Sequence, residues 1–280
     1  MTRPSFSLPR VDDSAGKESR GRVLVVGGST EIPGAVLLAG MAALRVGAGK
    51  LQIATAASVA RLMAIAMPEA RVMPLQETDA GSVAFASPAL LEASERADAL
   101  ILGPGCDPTS LWLELVDKVL AGSQGVVVLD AGALPADVVD KAAGRCIVTP
   151  HAGEMASMTG LSVEDVQAAG ADVAQRYSDQ NQCVVVLKGS TTTVTAPSQP
   201  AWVHEGGSIA LGTSGSGDVL AGLIGGLAAR GAPPLAAAQW GVYLHGMAGR
   251  QFEERISDVG LLARDLPDLI PPLLREYARQ

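Results

Sequence analysis

Aromatic residues and positive charge are both scarce in this chain. Phe, Trp and Tyr make up 3% of its 280 residues, and 29 Asp and Glu side chains outnumber 21 Lys and Arg, which gives a formal charge of −8. Proteins that bind single-stranded nucleic acid stack its bases on aromatic rings, and phosphate backbones or anionic membranes are bound by clustered cations. The composition therefore excludes a general nucleic-acid binder and a membrane-surface protein.

Cysteines and long apolar stretches are also few. Cys106, Cys146 and Cys183 are odd in number and far apart, so we expect buried structural thiols and neither a disulfide framework nor a zinc site. No apolar stretch reaches the roughly 18 residues of a membrane span, and the longest covers residues 219–229. The polar, acidic N-terminus is unlike a signal peptide, and we expect a cytoplasmic location.

Short apolar runs bounded by Gly or Pro alternate with helical patterns along the chain. The runs cover residues 22–26, 51–55, 99–102, 126–129, 146–149 and 183–187. The helical patterns cover residues 34–46, 58–67, 109–121, 163–178, 217–230 and 235–255. Because the runs are apolar on both faces, they are typical of parallel strands covered by helices on both sides. The alternation predicts an α/β fold with a mostly parallel, doubly wound sheet.

The expected domain organisation is simple. Residues 191–203 alternate Thr and Val and are broken by Pro197 and Pro200, which predicts a hairpin on one edge of the sheet. Residues 1–20 are polar and are expected to form an N-terminal arm. Since no Gly-, Ser- or charge-rich linker divides the rest, we expect one domain over residues 21–280.

Glycine follows strand after strand in this sequence. It occurs directly after the runs that end at residues 26 and 102, and within a few residues of those that end at 129, 149 and 187. Ligands of doubly wound sheets bind beyond the carboxyl ends of the strands, where glycine lets the backbone approach them closely. Each glycine alone is equally consistent with a tight turn, but the five together favour a binding site.

The strongest local signal is the segment 212–218, Gly-Thr-Ser-Gly-Ser-Gly-Asp, directly before an apolar helix. Glycines let successive amides point inward, and a helix N-terminus adds partial positive charge, so the segment fits a phosphate. Asp218 has two interpretations. It is either an ordinary first-turn residue stabilised by the helix dipole, or a base that takes a hydroxyl proton beside a transferring phosphoryl group.

Other catalytic motifs are missing. The dinucleotide fingerprint, the Walker A pattern and the nucleophile elbow are absent, and the histidines do not cluster. His151 is of interest because it lies in a post-strand loop, three residues before Glu154. Glu154 is either a helix N-terminal residue or a carboxylate that meets Mg²⁺ through water.

Taken in order, these segments resemble the ADP/ATP-dependent NAD(P)H-hydrate dehydratases of the ribokinase-like superfamily. The resemblance runs from about residue 8 to residue 270, and its most specific parts are Pro-His-x-Gly-Glu at 150–154 and Gly-x-Gly-Asp at 215–218. The other matching segments are residues 21–29, 33–35, 42–49, 103–105, 129–131, 187–189 and 243–246. The resemblance implies a ribokinase-like three-layer α/β/α fold.

The resemblance also implies repair of a damaged cofactor. NADH and NADPH can add water to the nicotinamide ring, and the enzyme would phosphorylate the resulting hydroxyl of the S-epimer from ADP, or ATP, and then eliminate phosphate. Hydroxide is a poor leaving group because the pKa of water is about 15.7. A phosphate ester leaves more easily because its oxygens titrate near pH 6. The alternative within the superfamily is a plain hydroxyl kinase that stops at the phosphate ester, and a catalytically silent nucleotide-binding module is a further one.

Site roles follow from the resemblance residue by residue. Asp218 would be the base and would also contact the hydrate. The remaining assignments are Ala35, Gly105 and His151 for the hydrate pocket, and Lys188, Gly189, Ser190, Thr191, Thr192 and Gly217 for the AMP part of the donor. Glu154 occupies the place of a metal-associated acid, with Mg²⁺ as the implied ion. Family members often form tetramers, so a homo-oligomer is expected, and any epimerase would be a separate protein.

Overall fold

The computed structural model describes residues 3–9, 16–142 and 144–277. Within them, nine strands form one sheet. They are β1 Arg22–Val26, β2 Lys50–Ala56, β3 Ala70–Leu75, β4 Ala99–Leu102, β5 Val126–Leu129, β6 Cys146–Val148, β7 Val184–Leu187, β8 Thr192–Thr195 and β9 Trp202–His204. The strand order is β3-β2-β1-β4-β5-β6-β7-β8-β9. β1 to β7 are parallel, and β8 and β9 continue the sheet as an antiparallel hairpin. The predicted parallel sheet and its edge hairpin are confirmed.

Helices cover both faces of this sheet. They are α1 Gly34–Arg45, α2 Ala57–Ala66, α3 Pro88–Glu95, α4 Ser110–Gly122, α5 Ala136–Lys141, α6 Ala152–Thr159, α7 Val163–Ala168, α8 Gly170–Asn181, α9 Ser216–Ala229, α10 Pro234–Arg255 and α11 Leu266–Tyr277. Across the described residues, no helix combines the length and the hydropathy that a membrane-spanning segment requires.

Alternate residues of the strands supply two separate hydrophobic cores. Val23 and Val25 of β1 pack with α1, α9 and α10, whereas Leu24 and Val26 pack with the helices on the opposite face. Because each side chain along a strand points to the face opposite its neighbour, a strand buried on both sides must be apolar at every position. This is the physical reason why the runs do not alternate with polar residues.

Several elements differ from the prediction. β3, α3, α5, α6 and α11 were not predicted, and the single helix expected over residues 163–178 is two helices separated by Ala169, whose φ of −129° and ψ of 33° are not helical. β3 escaped notice because it contains the exposed Arg71 and Pro74. Proline is compatible with this position because β3 lies at the edge of the sheet.

The N-terminal arm expected over residues 1–20 lies partly outside the described residues. Of the described part, the indole N–H of Trp240 donates to the carbonyl of Phe6 at 2.7 Å, and the Arg230 guanidinium donates to the carbonyl of Pro9 at 2.6 Å. Leu8 is buried. These contacts attach residues 3–9 to α10 and to the C-terminal end of α9.

Close packing of α1 and α9 determines where the N-terminus of α9 lies. A Cβ atom added at Gly222 would lie 2.2 Å from the carbonyl oxygen of Ala39, and one at Gly226 would lie 2.4 Å from Val46. Only glycine allows this approach. It fixes α9 over β1, β4 and β5, so that the N-terminus of α9 lies near the carboxyl edge of the sheet.

Candidate functional site

Three predicted site residues, together with Asp130, lie at the carboxyl ends of consecutive strands. In the order of the sheet, Gly105 follows β4, Asp130 follows β5, His151 follows β6 and Lys188 follows β7. Ala35 is in the first turn of α1, which follows β1. Because parallel strands present their carboxyl ends at one edge, residues distant in the sequence share one surface there.

The predicted anion-binding loop, residues 212–218, leads into α9. Gly215, which precedes the helix, has a left-handed backbone with φ of 86°. A side chain there would collide with Leu38, since an added Cβ would lie 2.5 Å from its Cδ1 atom. The amides of Ser216 and Val219 donate to carbonyls of the loop, whereas those of Gly217 and Asp218 make no such bond in the described part of the chain. Free amides at a helix N-terminus are suited to bind phosphate.

Asp218 lies in the first turn of α9, directly after this loop. Its pKa is raised to about 7, mainly by burial and in part by repulsion from Asp130, while the Lys188 ammonium opposes this rise. A carboxylate that titrates near neutral pH is suited to accept and return a proton there.

Lys188 connects the strand edge to this helix. Burial disfavours its ammonium, but Asp130 and Glu154 compensate, and the net result is a raised pKa. Its Nζ atom lies 3.1 Å from Asp130 Oδ1 and 3.7 Å from Glu154 Oε2. A Cβ added at Gly217 would lie 3.4 Å from this Nζ, so the ammonium adjoins the first turn of α9.

His151 and Glu154 form the N-terminal cap of α6. The His151 Nδ1 atom accepts hydrogen bonds from the amides of Gly153 at 3.0 Å and Glu154 at 3.1 Å, and Glu154 Oε2 accepts one from the amide of His151 at 2.7 Å. The other ring nitrogen, Nε2, lies 3.6 Å from Glu154 Oε1, and 60% of the His151 side chain is exposed. The capping role and a ligand role are therefore compatible for His151.

Ala35 and Gly105 lie against each other on the β1–β4 side of the edge. Gly105 has φ of +70°, and an added Cβ would lie 2.6 Å from the carbonyl of Ile32 and 3.0 Å from the Cβ of Ala35. His151 lies two strands away, after β6. The three residues predicted for the hydrate pocket thus share the edge but form two separate groups along it.

A cavity of about 590 Å³ opens beside Lys188 and the α9 loop. Its wall includes Lys188, Gly189, Ser190, Thr192 and Gly217, which are five of the six residues predicted to bind the donor. Thr191, the sixth, is absent from the lining. Leu211, Leu220 and Val242 supply an apolar wall. Such a combination of apolar surface and a few polar groups is typical of a small-molecule site.

The sequence interpretation missed two residues of this region. Asp130 was noticed only as part of a matching segment, although its carboxylate holds Lys188. His245 was likewise part of a matching segment, residues 243–246, and was given no role. Its Nε2 atom lies 3.1 Å from the carbonyl of Ser216 and 3.0 Å from the Ser216 hydroxyl, and burial lowers its pKa to about 4. A neutral His245 therefore braces the anion-binding loop.

Metal ligands are sparse here. Within the described residues, no group of three or more His, Cys, Asp or Glu side chains is arranged to hold a metal ion. Glu154 is already a helix cap. Mg²⁺ at this edge would need most of its oxygen ligands from water or from the phosphates of a bound nucleotide, which is how it is commonly held beside nucleotides.

The order of the strands and the glycine-rich loop before α9 define a ribokinase-like α/β protein. The predicted fold is therefore confirmed. A ribokinase-like superfamily protein from Enterococcus faecalis has the same fold, with a TM-score of 0.85 at 24% identity, over 98% of this chain and 93% of that one. The chain belongs to the NAD(P)H-hydrate dehydratase family, whose model it matches over residues 23–272. The resemblance and the prediction of an enzyme are thereby confirmed.

Three relatives illustrate the similarity. The ADP-dependent (S)-NAD(P)H-hydrate dehydratase of Xanthomonas campestris is 49% identical over 94% of this chain and 91% of its own length. The ADP/ATP-dependent dehydratase of Bacillus subtilis, crystallised with ATP/Mg²⁺, has a TM-score of 0.81 at 33% identity, over 97% and 95% of the two chains. A bifunctional NAD(P)H-hydrate repair enzyme from Moorella thermoacetica is 38% identical over 98% of this chain, but over only 53% of its own length.

Proposed function

We propose that this protein catalyses the ADP-dependent dehydration of the S-epimer of NADH hydrate and NADPH hydrate. The observation that carries the proposal is the arrangement at the head of α9. There a carboxylate with a pKa of about 7 adjoins the free amides of an anion-binding loop, beside a cavity of nucleotide size. The names of the Xanthomonas and Bacillus relatives support the same substrate and donor.

The proposed reaction has two parts. In the first, the hydroxyl oxygen on C6 of the hydrate attacks the terminal phosphorus of ADP. The bond between that phosphorus and the AMP oxygen breaks, and Asp218 takes the hydroxyl proton. In the second, the C6–O bond breaks and phosphate leaves with the bonding electrons, while the ring nitrogen lone pair forms a double bond to C6. A proton then passes from C5 to water, and the electron pair of the C5–H bond forms the C5–C6 double bond of the dihydropyridine.

The donor is assigned to the cavity beside β7. Lys188 offers its ammonium to the phosphates, and the backbone amides around Gly217 neutralise the phosphoryl group as charge develops on it. Gly189, Ser190, Thr191 and Thr192 would hold the AMP part. Support comes from the cavity wall, which contains all of these except Thr191.

The hydrate is assigned to the other part of the edge, with Ala35 and Gly105 on one side and His151 on the other. Asp218 would contact it as well. Mg²⁺, when bound with the donor, would neutralise phosphate charge, and Glu154 would meet it through water. Support for the ion comes from the Bacillus relative, which was crystallised with ATP/Mg²⁺.

Cooperation with a separate epimerase is part of the proposal. Its support is that relatives named bifunctional NAD(P)H-hydrate repair enzymes combine two activities in one chain. A homo-oligomer, with the tetramer as the family's frequent form, and a cytoplasmic location stay predictions from the sequence.

A coupled assay tests this function. Purified protein is mixed with NADH hydrate and with ADP, ATP or no nucleotide, and dihydropyridine absorbance and free phosphate are followed together. We expect ADP to restore the absorbance with one phosphate released per NADH formed, and no conversion without a nucleotide. Accumulation of a stable phosphorylated hydrate would instead support the plain hydroxyl kinase, and no reaction with either nucleotide would contradict the proposal.

A further inference from the structure

Asp130 is a buried carboxylate to which the proposed reaction gives no task. It is 3% exposed, and one oxygen, Oδ1, accepts hydrogen bonds from the Thr149 hydroxyl at 2.7 Å and from Lys188 Nζ at 3.1 Å. Burial of a charged group is unfavourable unless the group is paired and hydrogen-bonded. The Asp130 carboxylate is nevertheless buried, at the centre of the carboxyl edge of the sheet.

The backbone around Asp130 is held in place. Ala131 has a φ of +46°, a conformation that non-glycine residues rarely adopt. Gly103 touches the Asp130 main chain so closely that an added Cβ would lie 1.8 Å from its carbonyl oxygen. The Trp112 indole donates to the carbonyl of Gly132 at 3.0 Å. Strained backbone that packing holds in this way is often found at functional sites.

Lys188 is the residue that this carboxylate restrains. Its Nζ atom is ion-paired with Asp130 and Glu154, and it adjoins Gly217. Within the described residues, no ion pair of 4.0 Å or less joins Lys188 to Asp218, although Asp218 is the next residue after Gly217. The two carboxylates therefore hold the ammonium at the wall of the donor cavity, and it acts on the Asp218 carboxylate only from beyond ion-pair distance.

We propose that Asp130 is a positioning residue, which holds the Lys188 ammonium toward the donor phosphates and away from Asp218, so that Asp218 stays unpaired and free to accept the hydroxyl proton. The inference rests on the proposed function, in which Asp218 is the base. If the Asp130 carboxylate is removed, we expect the Lys188 ammonium to pair with Asp218, because Asp218 is a nearby carboxylate that has no ion pair within the described residues.

Asp130 and Lys188 can be distinguished by their opposite effects on the pKa of Asp218. The negative charge of Asp130 raises the pKa of Asp218, and the positive charge of Lys188 lowers it. The other titratable groups here are Glu154 and His151 at the start of α6, and the neutral His245 on α10. Removal of Asp130 should thus make Asp218 more acidic, and removal of Lys188 should make it less so.

The test compares the pH dependence of kcat/KM for NADH hydrate, at saturating ADP, in wild type, Asp130→Asn and Lys188→Met. We expect the acidic midpoint to move down by about one pH unit in Asp130→Asn and up by a similar amount in Lys188→Met. Asp172→Asn, the same chemical change at an exposed position on α8, should keep both the wild-type activity and the midpoint. A residue with only a structural role would lower the rate without moving the midpoints in opposite directions.

The outcomes separate this inference from the proposed function. Wild type without ADP-dependent turnover would contradict the function itself. An active wild type whose midpoint does not move in Asp130→Asn, or moves the same way in both variants, would overturn the role of Asp130. Circular dichroism shows whether Asp130→Asn folds. If it does not, Lys188→Met decides, and an unchanged midpoint there overturns the inference.

Discussion

We expect Asp218→Asn to lower kcat for hydrate dehydration by about 10²–10⁴-fold, the usual contribution of a general base. Asparagine keeps the shape of the side chain at the head of α9 but cannot take the hydroxyl proton. The anion-binding loop does not depend on the charge, since its amides belong to the backbone of residues 215–218. The loss should therefore appear in steady-state kcat, with the affinity for ADP, measured by calorimetry, within a few-fold of wild type.

Asp172→Asn is the matched control for this variant as well, because it removes a carboxylate from the first turn of another helix, α8, at an exposed position. Its kcat should equal that of wild type. If Asp218→Asn turned over at a near-normal rate, Asp218 would have no part in proton transfer and would be an ordinary first-turn residue. A loss of ADP binding in the same variant would show that the carboxylate supports the loop.

The activity should also depend steeply on pH, with a midpoint near 7. Burial and the nearby Asp130 raise the pKa of Asp218 to about 7, and only the deprotonated carboxylate can accept a proton. Since a raised carboxyl pKa means that the proton is retained up to neutral pH, the activity is lost as the pH falls. We expect kcat/KM for the hydrate to drop roughly tenfold per pH unit well below the midpoint, or about 50-fold between pH 7 and pH 5.

The donor complicates this measurement, because a terminal phosphate itself titrates near pH 6. ADP affinity should therefore be measured over the same pH range, and kcat/KM determined at an ADP concentration that saturates the enzyme at each pH. A rate that stays constant down to pH 5 would mean that Asp218 titrates like an exposed carboxylate. The raised pKa that burial and the neighbouring Asp130 give to Asp218 would then be contradicted.

The sequence predicted the parts of the fold that local patterns specify. Runs such as Val126–Leu129 are apolar throughout, and this pattern indicates a strand buried on both faces. β3 was not predicted because it is not apolar throughout. As an edge strand, it tolerates the charge of Arg71 and the missing N–H of Pro74. The break at Ala169 was missed because neither Pro nor a turn motif precedes it, and the one local signal is Gly170, the first residue of α8.

The candidate site divides in the same way. Gly215, Gly217 and Asp218 lie in one segment, so their spacing shows an anion-binding loop. The capping box of His151 and Glu154 was harder to see, because histidine is not a usual N-cap residue. The pair of Asp130 and Lys188 could not be derived from local sequence, since 58 positions separate its members and only the order of β5, β6 and β7 brings them together.

The central claim is that the amides ahead of α9 bind the terminal phosphates of the donor within reach of Asp218. A crystal structure of the protein with ADP and Mg²⁺ tests it most directly. The account predicts terminal phosphate oxygens about 2.7–3.1 Å from the amide nitrogens of Gly217 or Asp218, with the adenosine in the cavity beside Lys188. A nucleotide whose phosphates lie at another part of the sheet edge, with the α9 loop empty, would contradict it.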